Sequence, residues 1–361
     1  MVEAATRAGN AIRTSRQGSH AVAIEEAWPQ LDHLATLPTQ TRTFHLALVE
    51  TMLAGTPIVL FGGGGDCADA LLPLCHAPGL FARWRMPGAR EVFEPGDALY
   101  AAPDAADRLA ARLALLRRPL VLDRIPAASP LVAALRRSMR GRGLTLVRPA
   151  VPCPTIPLDP SWADPLSRFN AGRRSDFRRA LRKAEELGEI TFEFACPPPA
   201  EFDARFDEAV QIEMSGWKRA AGTAIGTDPA KHAFFRTYLR AECEAGRLRM
   251  AFLRIDGRAV AMQLAVVQHG RLWLYKIGYD EAFRRCSPGS LLMLHAIGQA
   301  AQSGLAAFEL LGNAEPWIAE LWTQQTMPCV QLRTYPPSLS GLVALGADGL
   351  TWLGRRLTGK R

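Results

Sequence analysis

The apolar residues between positions 247 and 312 change from a period of two to a helical period. Runs rich in branched and aromatic side chains predict strands at Leu248–Ile255, Ala259–Gln268 and Arg271–Tyr279. The pairs Asp256-Gly257 and His269-Gly270 lie between these runs, and such pairs are typical of tight hairpin turns. We therefore predict a meander of three antiparallel strands.

A helix is predicted directly after this meander. Ser287 is a good N-cap, Pro288 suits the first helical turn, and apolar residues from Leu291 onward recur at helical spacing. Free N–H groups and the positive end of a helix dipole attract anions, and Gly289 lets an anion approach the backbone closely. A strand at Leu305–Leu311 would complete a β-β-β-α-β unit with a phosphate site at the start of its helix.

Strands and helices also alternate in the N-terminal half of the chain. The predicted strands are Pro57–Phe61, Ala70–His76, Pro119–Ile125 and Leu144–Val147, and the predicted helices are Asp104–Leu116 and Ser129–Gly141. The glycines at 62–65 favour a hairpin turn over a phosphate loop, since no Gly-Lys-Ser/Thr follows them. This order suggests a second, degenerate α/β unit.

The chain is predicted to divide into five regions. These are a flexible N-terminus at 1–20, a degenerate unit at 21–150, a proline-rich crossing at 151–165, a cofactor-binding unit at 166–336 and a basic amphipathic tail helix at 337–361. The tail helix could lie on an anionic membrane or pack against the N-terminal half. A second basic helix, Arg168–Leu187, is either a solvated face or a binding surface for a phosphate-bearing substrate or a membrane.

Charge and cysteine content limit the partners and the cellular location that we expect. The net charge of +8 fits a polyanion, a phosphate-bearing cofactor or an anionic membrane, but the arginines are scattered and do not favour a nucleic-acid partner. Seven widely spaced cysteines without a Cys-x-x-Cys pair favour a reducing cytoplasm and argue against zinc. No segment has the composition of a membrane span or secretory signal. We expect a cytoplasmic protein, at most peripheral on the cytoplasmic membrane face.

Several separated blocks resemble the GNAT acetyltransferase superfamily, and more closely its FemAB-like branch, once described with bacterial cellulose-biosynthesis proteins. The blocks are Ser215–Lys218, Gly222–Ile225, Tyr275–Glu281, Ser287–Gly289 and Phe308–Gly312. The resemblance implies an α/β (α+β) fold of two GNAT-like units in tandem, of which the first is degenerate. The second would have a mixed, mainly antiparallel sheet and an acyl-CoA cradle. Acyl-CoA would be the co-substrate, with no metal.

Two blocks depart from the superfamily pattern. The diphosphate loop usually carries two spaced glycines, whereas the segment Arg284–Ser290 has only Gly289. A Tyr-Lys pair follows the last strand in many relatives, but Glu315–Ile318 occupies that place here, so no lysine role carries over.

Candidate residues follow from the predicted elements and from the resemblance. The cofactor-binding candidates are Ile277, Gly278, Arg285, Ser287, Pro288, Gly289 and Ser290. The catalytic candidates are Glu309 and Glu213 as general bases, Tyr279 as a donor to the leaving thiolate, and Lys276, a cation within an aromatic strand. The substrate-binding candidates are Trp217, Lys218 and Asp280, with Asp280 also a weaker base candidate.

The leading hypothesis is an N-acyltransferase that moves an acyl group from acyl-CoA to an amine of an envelope, lipid or polysaccharide precursor. One version uses long-chain acyl-CoA and a sphingoid-type base, as some bacterial ceramide-forming enzymes of the superfamily do. Two alternatives remain: a FemAB-type transferase that takes aminoacyl-tRNA, and a non-catalytic scaffold in exopolysaccharide assembly.

Overall fold

The computed structural model describes residues 12–14, 28–62, 69–216, 222, 224–312 and 315–358. The strands are β1 (Ile12–Thr14), β2 (Ile58–Gly62), β3 (Ala70–Leu74), β4 (Trp84–Arg85), β5 (Leu99–Tyr100), β6 (Leu120–Pro126), β7 (Leu144–Pro157), β8 (Ile190–Ala195), β9 (Leu248–Ile255), β10 (Arg258–Gln268), β11 (Arg271–Tyr279), β12 (Ala307–Leu310) and β13 (Thr326–Tyr335). The helices are α1 (Arg42–Glu50), α2 (Ala105–Leu113), α3 (Pro130–Ser138), α4 (Ala171–Glu185), α5 (Phe202–Met214), α6 (Pro229–Glu244), α7 (Pro288–Gln302), α8 (Pro316–Leu321) and α9 (Leu339–Thr358).

Two compact units make up the chain. The first comprises residues 1–152 and 327–361, and the second comprises residues 153–326. The segment 327–361 therefore joins the first unit, although the sequence placed its strand at the end of the second. The physical reason is that β13 pairs antiparallel with β6, and Leu332 packs in the core of the first unit with Leu120 and Leu122.

The proline-rich crossing begins as a strand, since its residues up to Pro157 belong to β7, and two short 3-10 segments follow at Pro160–Ala163 and Pro165–Arg168. Four prolines of the run lie within β7, which is extended over 14 residues. Proline has a φ angle compatible with extended backbone and lacks only the N–H group, so it is tolerated where no donor is needed. The intervening residues still pair: the N–H of Thr155 donates to the carbonyl of Gln325 at 3.0 Å, and Ile156 lies opposite Phe308.

The first unit has a sheet in the order β1-β2-β3-β5 and a second group in the order β4-β6-β13. Helices α2 and α3 pack on a core formed by alternating apolar residues of these strands. The predicted hairpin β2-β3 is antiparallel, with Val59 opposite Leu74. The turn of this hairpin, with most of the predicted glycine run and Cys67, lies outside the described residues.

Helix α3 of the first unit begins at a closed N-terminus. The hydroxyl of Ser129 accepts from the N–H of Leu131 at 3.3 Å and donates to Oδ1 of Asp97 at 2.9 Å. Oδ1 of Asp97 also accepts from the Tyr100 hydroxyl at 2.7 Å and from the N–H of Ala98 at 2.8 Å. Burial raises the pKa of Asp97 to about 6 in spite of these three donors.

The second unit is a mixed, mainly antiparallel sheet in the order β7-β12-β11-β10-β9-β8. Only β11 and β12 are paired in parallel within it. Both hairpin turns of the meander have the predicted left-handed backbone, with φ of 47° and 75° at Asp256 and Gly257 and of 50° and 67° at His269 and Gly270. The predicted α/β fold with two units and a mixed sheet is confirmed.

Helix α7 covers one face of this sheet, and α5 and α6 cover the other. Leu292 and Ile297 of α7 share a core with Leu272 and Leu274 of β11, whereas Tyr238 of α6 packs on Tyr275. Among the described residues, no helix has the length and hydrophobicity needed to cross a membrane.

Candidate functional site

A cavity of about 370 Å³ lies in the second unit where strands β11 and β12 part. The two strands pair only from Arg271 to Leu274 on β11, whereas β11 continues beside β10 as far as Tyr279. The cavity is lined by Glu213, Gly216, Met262, Gln263, Ile277, Gly278, Tyr279, Arg284, Ser287, Pro288, Gly289, Ser290, Met293, Trp317, Leu321 and Trp322. Splayed parallel strands thus leave a cleft between the sheet and the start of α7.

A β-bulge in β11 decides which side chains face this cleft. The register passes from Leu274 opposite Ala265 to Lys276 opposite Leu264, so Tyr275 is an extra residue without an opposite partner on β10. Before the bulge, even-numbered residues face α7. After it, odd-numbered residues do, and Ile277 and Tyr279 therefore pack on the α7 side.

The start of α7 forms one wall of the cavity. Ser287 occupies the N-cap position, but its side chain makes no capping hydrogen bond, and its backbone is left-handed, with φ 49° and ψ 52°. Its carbonyl accepts from the N–H groups of Ser290 and Leu291 at 3.0 and 3.2 Å. Pro288 has no N–H. The N–H of Gly289 is therefore the backbone donor of the first turn that makes no hydrogen bond to the Ser287 carbonyl.

A guanidinium group adds positive charge beside this helix start. Arg284 lines the cavity and is exposed, whereas the predicted Arg285 does not line it. Neither arginine forms an ion pair within the described parts of the chain. Arg284 therefore can offer a bidentate donor to an anion bound at the Gly289 N–H.

Glu213 supplies a carboxylate on the opposite wall. It lies in the last turn of α5 and is only 1% exposed, and its Oε2 accepts from the N–H of Ile225 at 2.7 Å. Helix α5 approaches β11 closely at this point because Gly278 has no side chain. A Cβ atom at Gly278 would lie 2.9 Å from Cα of Glu213.

Aromatic and sulfur-containing side chains form the remaining walls. Trp317, Leu321 and Trp322 come from α8 and its end, where many GNAT relatives carry a Tyr-Lys pair, and Met262 and Met293 also line the cavity. Trp317 and Leu321 are four residues apart on α8, and this spacing on a helix that follows β12 is the signal that could have placed both at the site.

Besides Arg285, three predicted site residues do not line the cavity. Glu309 alternates with the α7-facing Phe308 and Leu310, so it points to the other face, where its Oε1 accepts from Nε of Arg271 at 2.7 Å. Lys276 follows the bulged residue, and its Nζ lies 4.7 Å from the centre of the Phe235 ring.

The third is Asp280, which caps the short 3-10 segment after β11. Its Oδ1 accepts from the N–H of Ala282 at 3.0 Å, and its Oδ2 accepts from Arg258 at 2.5 Å. Trp217 and Lys218 lie outside the described residues. The structure thus brings together Glu213, Ile277, Gly278, Tyr279 and Ser287–Ser290.

Comparisons with known proteins agree with this geometry. Residues 171–317 match the family of acetyltransferase (GNAT) domains. No curated protein sequence matches the chain. Among the described residues, no group of three or more histidine, cysteine or acidic side chains could hold a metal ion.

Several solved structures are similar to the chain over most of its length. FemX is 12% identical with a TM-score of 0.54, and the likeness covers 86% of this chain and 95% of FemX. The C-terminal domain of a protein described as a lysylphosphatidylglycerol synthetase from Agrobacterium fabrum is 15% identical with a TM-score of 0.52, over 92% of this chain and 97% of that one. A protein of unknown function from Bacteroides thetaiotaomicron is 11% identical with a TM-score of 0.52, over 86% and 96%.

The fold and the family match define the class. The chain has a GNAT-type acyltransferase fold, with the matched domain in the second unit, and the likeness to FemX extends over the first unit as well. At these identities the solved structures establish the fold and leave the substrate to be argued from the site.

Proposed function

We propose that this protein is an N-acyltransferase that transfers an acyl group from acyl-CoA to the amine of an envelope, lipid or polysaccharide precursor. One observation carries the proposal: a single cavity joins an anion-binding helix start, a buried carboxylate and apolar walls. Each of these three parts matches one need of the reaction.

The donor fits the helix end of the cavity. The Gly289 N–H and the exposed Arg284 offer charge-assisted hydrogen bonds to a phosphate group of coenzyme A. Ile277, Met262 and Met293 offer apolar contact to the less polar arm and the acyl chain. The single glycine of the loop makes the Arg284 side chain more important here than in a loop with several free backbone donors.

The chemistry requires positioning and proton transfer. A neutral amine attacks the thioester carbonyl, a C–N bond forms, the C–S bond breaks and the thiolate leaves. The buried Glu213 would accept a proton from the ammonium form of the acceptor, and the loss of this proton makes the amine a nucleophile. Tyr279 lines the same cavity, and its hydroxyl can donate to the leaving thiolate.

The acceptor side favours an amphipathic amine. Trp317, Leu321 and Trp322 present apolar area next to the carboxylate wall, an arrangement that suits an amine carried on a lipid or a sugar. A long-chain acyl-CoA and a sphingoid-type base are the most apolar version of this pair.

A second candidate is a FemAB-type transferase that uses aminoacyl-tRNA. The observation that favours it is the exposed basic face of α4. Helix α4 packs against the segment Glu281–Cys286, which carries Arg284. Arg178 and Arg182, which lie about 40° apart around the helix axis, make no ion pair with described residues. Such a surface could bind nucleic-acid phosphates next to the cavity.

Calorimetric titration with coenzyme A, acetyl-CoA and palmitoyl-CoA tests the proposal. We expect micromolar binding that weakens roughly tenfold or more in Arg284→Gln, since a charge-assisted contact is lost. Arg285→Gln is the matched control, because this neighbouring arginine does not line the cavity.

The outcomes separate the candidates. A large preference for palmitoyl-CoA would point to a lipid amine as acceptor. Failure of all three ligands to bind, together with salt-sensitive binding of aminoacyl-tRNA, would replace the first proposal with the second. Binding without any thioester turnover on a panel of amines would favour a non-catalytic scaffold.

A further inference from the structure

Helix α9 of the first unit has its acidic residue, Asp348, turned toward the protein and four of its leucines turned outward. At 100° per residue, the apolar side chains fall on the side of the helix opposite Asp348. These side chains are Leu339, Leu342, Val343, Leu350 and Leu353, and all of them are exposed, by 73% at Leu350. A helix packed only on its own protein shows the reverse pattern, with leucines inward.

Strong polar contacts fix this orientation. Oδ2 of Asp348 accepts from Arg83 at 2.7 Å, from the Tyr335 hydroxyl at 2.6 Å and from Arg333 at 2.8 Å. The carbonyl of Ala344, a buried residue one turn earlier, accepts from Arg83 at 3.1 Å. Burial opposes ionisation, yet these hydrogen bonds lower the pKa of Asp348 to about 2, so the anchor stays charged at neutral pH. The apolar side is therefore held toward solvent.

Further exposed apolar residues lie beside the helix. Leu80 and Phe81 are exposed by 69% and 49% and precede Arg83, which binds α9 directly. Leu115 is exposed by 64%, and the carbonyl of Arg117 accepts from Ser338 at the start of the helix. Two loops that contact α9 or its start thus add exposed apolar side chains to those of the helix, and clusters of this kind often mark interaction sites.

The charge of this surface indicates what covers it. The segment 337–361 contains the basic residues Arg355, Arg356, Lys360 and Arg361 and a single acidic residue, Asp348, which is already paired with two arginines. The Arg356 guanidinium lies 4.3 Å from the Trp352 ring centre. Leucines, a tryptophan and several basic residues in one helical segment are together typical of helices that lie in the interface of an anionic bilayer.

We propose that α9, with the loop around Leu80 and Phe81, docks the protein on an anionic lipid bilayer, the helix lying in the plane of the surface. The leucine side would enter the headgroup and acyl boundary, and the basic residues would contact anionic headgroups. The proposal does not depend on the reaction catalysed in the second unit.

Vesicle sedimentation with the full chain tests this docking. We expect binding to vesicles of phosphatidylcholine and phosphatidylglycerol in equal amounts, weaker binding to phosphatidylcholine alone, and loss of binding as salt is raised. The double variant L342D/L350D should bind at least tenfold more weakly, since two leucines that would enter the bilayer are lost. The variant R355E/R356E should lose mainly the preference for the anionic lipid.

The matched control is Leu187→Asp, the same substitution at an exposed leucine of the second unit. It should bind as the unchanged protein does. Two results would overturn the proposal. One is equal binding of L342D/L350D and the unchanged protein. The other is a dimer in analytical ultracentrifugation that L342D/L350D abolishes, with no vesicle binding by either, which would make a second copy of the chain the occupant.

Discussion

Each of the two units contains a helix that follows a strand and begins with Ser-Pro. The two helix starts differ in whether their N-terminal end is capped. At α3, Ser129 caps the helix and binds Asp97, so the unit supplies its own carboxylate to the site that would attract an anion. At α7, Ser287 is left-handed and makes no side-chain cap, and the helix start lines a cavity. The first start is closed and the second is open.

The residue after the proline accounts for much of this difference. Leu131 of α3 is fully buried in the core of the first unit. Gly289 of α7 has no side chain, and a Cβ there would lie 3.3 Å from Cδ1 of Tyr279. The same Ser-Pro pair thus begins a helix that is packed into a core in one unit and a helix that lines a cavity in the other. A Ser-Pro helix start therefore indicates a binding site only when the following residue leaves the backbone open.

The largest expected effect concerns the two carboxylates near these helix starts. Glu213→Gln should lower kcat for acyl transfer roughly 100- to 10,000-fold, because the general base is lost. Asp97→Asn should leave kcat within a factor of about three, since Asp97 belongs to the closed start of the other unit. Steady-state kinetics of both variants with the same acyl donor would measure this.

A folding defect must be separated from the loss of a base. Gln keeps the size of Glu213 and can still accept from the Ile225 N–H, so the thermal midpoint should change little. If Glu213→Gln keeps most of its kcat at every pH, Glu213 is not the base, and the contrast between the open and the closed start loses its functional meaning.

The next effect is on stability. Leu131→Ala should lower the free energy of unfolding by about 2–5 kcal/mol, because it removes buried methyl groups from a core and leaves a cavity. Chemical denaturation would measure it, with the KM for the acyl donor as the second readout. A raised KM with unchanged stability would show that the first start also binds ligand.

Titration of Asp97 gives a third test. Its folded pKa of about 6 lies above the ordinary value of 3.8, so between pH 4 and 6 the folded state binds more protons than the unfolded state. As the pH rises through this window, Asp97 loses its proton in the folded state, and the free energy of unfolding therefore falls. The stability of Asp97→Asn relative to the unchanged protein should rise by about 2 kcal/mol from pH 4 to pH 7. A difference that stays flat with pH would exclude a raised pKa.

Local patterns were sufficient for the meander of the second unit, for its turns and for α7. Asp256-Gly257 and the alternation around it fixed the meander, and Pro288 and Gly289 fixed where α7 begins. Contacts between distant parts of the chain were not visible in such patterns. The pairing of β13 with β6, more than 200 residues apart, moved the end of the chain into the first unit.

The candidate site shows the same division. Ile277, Gly278 and Tyr279 follow from the strand, but the bulge at Tyr275 sets which side of the sheet each side chain takes, and no residue pattern revealed it. The sequence left both Glu213 and Glu309 as base candidates, and it favoured Arg285, whereas Arg284 lines the cavity. The answer depends on the direction of a side chain rather than on its type.

The smallest effect is expected at the open helix start itself. Gly289→Ala should raise the KM for the acyl donor about tenfold, equivalent to ~1.4 kcal/mol, because the methyl group crowds the anion and the Tyr279 ring. Stability should not fall, since Ala is a better helix former than Gly. Gly346→Ala in α9 is the matched control, as its Cβ would meet nothing within 4 Å. It should change stability in the same direction and leave KM unchanged. If both variants leave KM unchanged, the anion does not bind at the α7 start, and the openness of that start reflects packing alone.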